Sequence, residues 1–298
     1  MFQPYGRDSG ERGFIIVAVL WIVAALATLA LIYSVYAREA ALNFVGHDER
    51  LQAAALAESG VELAAYQLTA QPDLQPLQGN FSFRQGGAVV SVNFRCENSL
   101  IDLNFAPGEV LADLFVSVGA RPEDALAFAD RIVAWRTPLR AGADDPEAAA
   151  YEAAGKPYGP RHGPFEDPNE LGMVANLPTA LLDRVLPYLT VYSGRPEVNV
   201  LAAPSQVLAA LPGLTPERLQ VLLGLRADAP QDVMRAQLGM TQSYITLTPS
   251  RANRVTVDVQ LQSGRSIRTQ ATIFLVPRDT EPYRVLAWRN DVPRDDNN

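Results

Sequence analysis

The side chains that could do chemistry are concentrated in one acidic loop, from Ala141 to Leu171. Glycine and proline residues separate its carboxylates, which are Asp144, Asp145, Glu147, Glu152, Glu166, Asp167 and Glu170. An oxygen-rich set of this kind suits a hard cation such as calcium. A solvated surface loop is the alternative interpretation, and the residues alone leave both open.

No arrangement typical of an enzyme site occurs in the sequence. His47 and His162 lie far apart, and neither has a partner at the spacing of a metal-binding motif. Cys96 is the only cysteine, which excludes an intrachain disulfide and a zinc site built from several thiolates. The sequence contains no nucleophile elbow and no phosphate-binding loop. We therefore predict no catalytic residue and a protein that is not an enzyme.

The charge balance disfavours nucleic acid as a partner. Lysine and arginine total 25 against 33 acidic residues, a formal net charge of -8, whereas phosphate contacts need a basic face. The stretch 211–216, which contains Gly213, resembles a helix-hairpin-helix turn. Its second glycine is absent, and Glu217 adds negative charge beside it. We interpret the turn as structural, with a membrane-tethered DNA-binding or DNA-uptake protein as the alternative.

The elements that position these residues begin with an apolar segment, Phe14 to Ala37, that carries no charge. As a helix it would extend roughly 36 Å, enough to span a bilayer. It runs into further helical sequence rather than a signal-peptidase site, which indicates a retained anchor. The flanking arginines do not separate the two sides, so charge alone does not orient the chain.

The residues around this anchor resemble a type IV pilin-like leader. Gly13 directly precedes the apolar run, Phe14 is its first residue, and an Ala-rich helical stretch, 38–69, follows it. The resemblance implies cleavage by a prepilin peptidase between Gly13 and Phe14, methylation of Phe14, and a helix that packs in a filament. Such subunits usually carry glutamate at the fifth mature position, where this chain has Ala18. An unpaired charge in lipid is costly, so we expect this loss at a filament tip. An ordinary signal anchor is the alternative.

Alternating apolar residues predict an antiparallel sheet. The segments with this pattern are Ala88–Arg95, Val255–Leu261 and Ile267–Ile273, and Tyr283–Trp288 is a further candidate strand. With the amino-terminal helix packed on this sheet, the expected fold class is α+β and pilin-like, with a large α-helical insertion. The predicted insertion helices, each beginning at proline, are 107–118, 122–135, 178–188 and 216–225.

A weak internal repeat lies in the insertion. Ile101–Leu111 and Val198–Leu208 place similar residues at the same offsets, which predicts a short strand leading into a helix, used twice. We divide the chain into six parts. They are a leader (1–13), a membrane helix (14–37), its periplasmic continuation (38–70), a sheet domain (71–100, 190–200 and 250–290), a helical insertion with a helix-hairpin-helix-like repeat (101–189 and 201–249), and a tail (291–298).

Together with the leader and Ala18, five runs make the chain similar to type II secretion system protein K from Arg12 to Trp288. The runs are IDLNFAP, RIVAWR, PYGPRHGPFEDPNEL, VYSGRPEVNVLAAP and YRVLAW. The resemblance implies a minor pseudopilin at the pseudopilus tip that primes assembly with minor pseudopilins I and J. It also implies an inner-membrane anchor, a periplasmic bulk, and support for export of folded proteins across the outer membrane. A signal-anchored periplasmic enzyme is a further alternative.

The resemblance also implies a calcium site in the acidic loop. The family's loop follows a D-W-x-D pattern, but Ala134 and Thr137 replace both aspartates here. Later acidic positions are matched approximately by Asp144, Asp145 and Glu170, which are therefore the candidate calcium ligands.

Overall fold

The computed structural model describes residues 10–70, 75–140, 142, 144–226, 243–276, 280–290 and 292. Most of the predicted leader, residues 1–9, and most of the predicted tail, residues 293–298, lie outside the described residues. The chain forms two compact units, Met1–Ala55 and Leu56–Asn298.

A single helix, α1 (Gly10–Thr69), runs through the first unit and into the second. Within it, the 21 residues from Ile16 to Tyr36 are long and apolar enough to cross a membrane, and none of this segment is buried within the protein. An apolar surface of this size is stable where lipid covers it. The predicted anchor and its predicted continuation are thus parts of one helix.

In the second unit, the end of α1 packs closely on the sheet because its buried face carries small residues. Ala57, Ala64 and Ala65 are at most 1% exposed. A Cβ atom added at Gly60 would lie 2.9 Å from Val257 Cγ1 and 3.1 Å from Val92 Cγ2. The glycine therefore sets how near the helix approaches the sheet.

The sheet has five antiparallel strands in the order β1-β2-β7-β8-β9. The strands are β1 (Gln78–Gln85), β2 (Ala88–Cys96), β7 (Ala252–Gln260), β8 (Ser266–Leu275) and β9 (Tyr283–Asn290). The valines of β2 and β7 alternate into the core, since Val90, Val92, Val255, Val257 and Val259 are fully buried. The predicted helix-on-sheet fold with a helical insertion is confirmed.

Strand β1 was not predicted from the sequence. Its residues are mostly polar, and every one of them is at least partly exposed, so the alternation that marks a half-buried strand is weak. Gly86 and Gly87 connect it to β2, with φ values of 57° and 77°. Two such residues in succession suit the tight turn of a two-residue hairpin.

The insertion lies between β2 and β7. It contains two pairs of short strands, β3 (Ile101–Asp102) with β4 (Leu189–Thr190) and β5 (Val198–Asn199) with β6 (Ile245–Thr246). The α-helices are α2 (Gly108–Ser117), α3 (Pro122–Arg136), α4 (Ala148–Ala153), α5 (Thr179–Val185), α6 (Ser205–Ala209) and α7 (Pro216–Leu225). The four predicted helices correspond to α2, α3, α5 with its 3-10 extension, and α7.

Segment 190–200, which we assigned to the sheet domain, belongs instead with the insertion. β4 pairs in parallel with β3, and β5 pairs in parallel with β6. The segment does not lie between β2 and β7, which are paired directly from Val89–Gln260 to Cys96–Asn253, and it is not a strand of the five-stranded sheet. Val198 and Val200 pack in the helical core.

The internal repeat has the same hydrogen bonds in both copies. The Asp102 side chain accepts a hydrogen bond from the amide two residues later at 2.9 Å, and the Asn199 side chain does the same at 3.0 Å. The backbone carbonyls of these two residues accept hydrogen bonds from Ala106 and Ala203, respectively, at 2.8 and 3.0 Å. Helices α2 and α6 then begin after Pro107 and Pro204. Each Asx turn therefore directs a short strand into a helix.

The two copies also share their later features. Gly119 and Gly213 both have positive φ, 97° and 79°, and each is followed three residues later by a proline that begins a helix. Arg136 donates hydrogen bonds to the carbonyls of Leu103 and Ala106, and Arg226 donates one to Ala203 O at 2.6 Å. The predicted helix-hairpin-helix-like turn at Gly213 is thus one of a structural pair.

Candidate assembly and cation sites

The predicted processing site lies within α1. The backbone of Gly13 and Phe14 is helical, and Ala18 lies on the same helix four residues after Phe14. Alanine offers no carboxylate, so Ala18 cannot neutralise the terminal amine of a neighbouring subunit in lipid. Cleavage and methylation at this site stay predictions.

The acidic loop is held first by an aspartate–histidine pair. His162 Nε2 lies 3.1 Å from Asp145 Oδ2, and His162 Nδ1 lies 3.2 Å from the carbonyl oxygen of Thr137. The hydrogen bond with Asp145 is the main reason why the pKa of His162 lies above its ordinary value. The other oxygen of Asp145 accepts the Glu147 amide at 3.0 Å. Asp145 therefore uses both oxygens within the protein.

Arg161 pairs with two carboxylates farther along the loop. Its Nη1 lies 3.0 Å from each carboxylate oxygen of Glu170, and its Nη2 donates a hydrogen bond to Glu166. These contacts raise the pKa of Arg161, with the Glu166 hydrogen bond as the largest cause. Glu170, a candidate calcium ligand, thus faces a guanidinium group.

A third pair links the loop to the sheet. Asp167 begins the 3-10 helix Pro168–Met173 by accepting the Asn169 amide at 2.8 Å, and its other oxygen accepts a hydrogen bond from Arg289 of β9. The Asn104 side chain bonds both backbone groups of Phe165, at 2.7 and 2.9 Å. The end of the acidic loop is therefore fixed on the insertion and on the sheet.

Aromatic packing fills the space beneath the loop. Trp135 stacks with Phe165, with ring centroids 5.8 Å apart, and with Tyr151, with centroids 6.2 Å apart. Tyr158 packs edge-on against Tyr151. Trp135, Tyr151 and Phe165 are all buried, so the loop folds over a base of packed aromatic rings.

The described carboxylates do not fit a calcium site in this arrangement. Within the described ranges, no three His, Cys, Asp or Glu side chains converge as metal ligands would. Asp144 is exposed, while Asp145 and Glu170 direct oxygens at His162 and Arg161. The carboxylates were predicted from the sequence, but their partners were not. Two adjacent basic residues, Arg161 and His162, are the sequence signal for these partners.

A buried ion pair joins the insertion to the sheet. Arg254 on β7 donates to both carboxylate oxygens of Glu97, at 2.9 and 3.1 Å, and to Leu189 O at 3.2 Å. Thr272 on β8 donates to the same carboxylate at 3.3 Å. Glu97 is fully buried and Arg254 is 9% exposed. The pair therefore fixes the start of the insertion to two strands and to β4.

Exposed apolar side chains mark two candidate contact surfaces. Strand β9 is an edge of the sheet, and it exposes Val285, Leu286 and Trp288 by 49%, 45% and 38%. The sheet-packed part of α1 exposes Leu63 and Tyr66. Apolar surface at a sheet edge is typical of protein–protein contact.

The turn at Gly213 is poorly suited to DNA. The Glu217 carboxyl accepts hydrogen bonds from its own backbone amide and from the Thr215 hydroxyl, and these bonds hold its pKa below the ordinary value. Thr215 also accepts the Arg218 amide at 3.4 Å as the cap of α7. The helix end that would meet a phosphate therefore already carries a carboxylate.

The chain has measurable likeness to known proteins in sequence and in fold. The family model of type II secretion system (T2SS), protein K, matches residues 98–194. No curated protein matches the chain significantly. Among solved structures, it is similar to a chain of the GspK–GspI–GspJ complex from the enterotoxigenic Escherichia coli Type 2 Secretion System. The identity is 17%, the TM-score is 0.62, and the match covers 83% of this chain and 99% of that one. The predicted resemblance to type II secretion system protein K is therefore confirmed, by sequence over residues 98–194 and by fold over most of the chain.

Proposed function

We propose that this chain is a minor pseudopilin at the tip of a type II secretion pseudopilus. The observation that carries the proposal is α1, which is an uncharged apolar helix from Ile16 to Tyr36 and a core element of the sheet-containing unit from Leu56 to Thr69. One helix with both properties can anchor the subunit in lipid before assembly and pack among other helices afterwards. The match to the protein K family supports the same role.

The tip position is supported by Ala18. A subunit inside a filament needs a group that neutralises the terminal amine of its neighbour in an apolar environment, because an unpaired charge there costs several kcal/mol. Alanine cannot supply that group. A subunit with no further neighbour to neutralise does not need it, and the tip is the position that meets this condition.

The proposed partners are minor pseudopilins I and J. The fold likeness is to a chain from a GspK–GspI–GspJ complex, and the equivalent partners here would be the corresponding I and J subunits. The apolar edge of β9 and the exposed face of α1 supply surfaces on which such subunits could pack. Their association would prime pseudopilus assembly and support export of folded proteins from the periplasm across the outer membrane.

The proposed location is the bacterial inner membrane, with a single span and the bulk of the chain in the periplasm. A prepilin peptidase would cut between Gly13 and Phe14 and leave a methylated Phe14. The role is structural rather than catalytic. A single apolar span, Ile16–Tyr36, that precedes the folded unit Leu56–Asn298 in the chain is compatible with this topology.

Deletion of the encoding gene tests the function. Export of a secreted protein should fail in the deletion strain, with the cargo retained in the periplasm, and the wild-type chain should restore it. Normal export in the deletion strain would contradict the proposal. Affinity purification of the full chain from detergent-solubilised membranes should recover I and J. Recovery of DNA without these subunits would favour the DNA-uptake alternative.

A further inference from the structure

We propose that Arg161 and His162 hold the acidic loop closed in the place of a metal ion. These adjacent residues bond in two directions along the loop. His162 contacts Asp145, which lies 17 residues earlier, and Arg161 contacts Glu166 and Glu170, which lie 5 and 9 residues later. A dipeptide near the middle of the loop therefore connects its early and late parts, as a shared ion would.

The charges of the dipeptide suit this role. Thr137 O and Asp145 Oδ2, which face the two ring nitrogens of His162, are both hydrogen-bond acceptors. An imidazolium ring satisfies both, because each of its nitrogens carries a proton. Together with the Arg161 guanidinium, the pair then carries two positive charges, the same as one calcium ion, among carboxylates that would otherwise repel one another.

The backbone of His162 indicates that the surrounding structure enforces this arrangement. Its φ of 52° lies in the left-handed region, which is uncommon for a residue with a Cβ atom. A conformation of this kind persists where neighbouring contacts over-determine it. Here the contacts are the two hydrogen bonds of the ring and the backbone bond from Gly163 N to Trp135 O at 3.1 Å.

The guanidinium group of Arg161 contacts two carboxylates through different nitrogens, Glu170 through Nη1 and Glu166 through Nη2. Nη1 is equidistant from both oxygens of Glu170, at 3.0 Å, and the Glu170 side chain is 18% exposed. Both carboxylate oxygens of Glu170 are therefore engaged by a guanidinium group of the protein. The loop is therefore ordered by side chains of the protein itself, and its order does not depend on calcium.

Hydrogen exchange of the full chain in detergent tests the proposal, with amides in residues 144–173 as the readout. Exchange in the wild-type chain should differ by less than about twofold between several millimolar calcium and a chelator. Extracellular calcium sites are occupied at millimolar calcium, so a site of that kind would be detected. Arg161→Ala and His162→Ala should each accelerate loop exchange by about two- to tenfold, the range expected for loss of one to two hydrogen bonds. Arg195→Ala is the matched control, because Arg195 is exposed and its carbonyl accepts the Ser193 hydroxyl.

Calcium that slows wild-type loop exchange several-fold would overturn the proposal, as would unchanged exchange in both alanine variants. If the alanine variants do not fold, Arg161→Lys and His162→Gln provide the comparison. Lysine keeps the charge but has a single nitrogen in place of the two that contact Glu170 and Glu166, and glutamine keeps a donor without the charge. Each should give intermediate acceleration, and wild-type exchange in either variant would contradict the proposal. Association with other pilin-like subunits is measured in a separate experiment, so failure of this proposal would leave the proposed function untouched.

Discussion

Removal of the Glu97 carboxylate should strongly destabilise the sheet-containing unit. Glu97 is fully buried and accepts two hydrogen bonds from Arg254, at 2.9 and 3.1 Å, and one from Thr272 at 3.3 Å. In Glu97→Ala the guanidinium stays buried and keeps only its bond to Leu189 O. Breaking a buried pair in this way costs about 3–5 kcal/mol. For a unit of this size, that corresponds to a fall in Tm of roughly 6–20 °C.

Thermal unfolding followed by near-ultraviolet circular dichroism measures this effect. Thr272→Val is the control, because it removes one hydrogen bond while Arg254 still pairs with the carboxylate, and we expect a loss of about 1 kcal/mol. Replacing both charged residues, as Glu97→Leu with Arg254→Met, should recover much of the stability lost in the single variant, since no unpaired charge remains. A Glu97→Ala cost below about 1 kcal/mol would show that the buried pair contributes little to stability.

Three further predictions concern the helix, the leader and calcium. Gly60→Ala should cost about 1–3 kcal/mol in unfolding free energy, because its Cβ would lie 2.9 Å from Val257 Cγ1. Gly224→Ala in α7 has open space around it and should be neutral or stabilise by up to about 1 kcal/mol; the opposite order would contradict the packing. Intact-mass analysis after coexpression with a prepilin peptidase should show loss of residues 1–13, and Gly13→Val should block it. Calorimetric titration of the full chain with calcium should give no binding heat, and a heat that disappears in Asp145→Asn would restore the predicted calcium site.

The sequence predicted those parts of the fold that depend on local patterns. Three such patterns lie within short stretches of the sequence. They are the apolar run, the alternating valines of β2 and β7, and the prolines at helix starts. The repeat was also visible, because Asp102 and Asn199 occupy the same position in similar runs, and a short polar side chain favours a turn there. The structure adds the matching hydrogen bonds.

The parts that were missed depend on pairing over long distances. β1 is a polar edge strand, and its place is fixed by β2 rather than by burial of its own side chains. Segment 190–200 has strand-like residues, yet they pair with β3 and β6, which are distant in sequence, and not with a strand of the five-stranded sheet. The contacts from Asp167 to Arg289 and from Asn104 to Phe165 join residues 122 and 61 positions apart.

The acidic loop shows why composition did not determine the site. Carboxylate count and spacing suit a cation, but they are equally compatible with a solvated loop or with basic side chains as partners. The choice depends on where Arg161 and His162 direct their donors, which is set by the backbone at His162 and by the aromatic base around Trp135. Neither the backbone conformation of His162 nor the packing of the aromatic base can be predicted from a local sequence pattern.

Native mass spectrometry of the full chain coexpressed with minor pseudopilins I and J tests whether this chain is a tip pseudopilin. We expect one complex containing all three chains, released from membranes in mild detergent, with this chain lacking residues 1–13. Recovery of this chain alone, under conditions in which I and J associate with each other, would contradict the assignment as a tip pseudopilin.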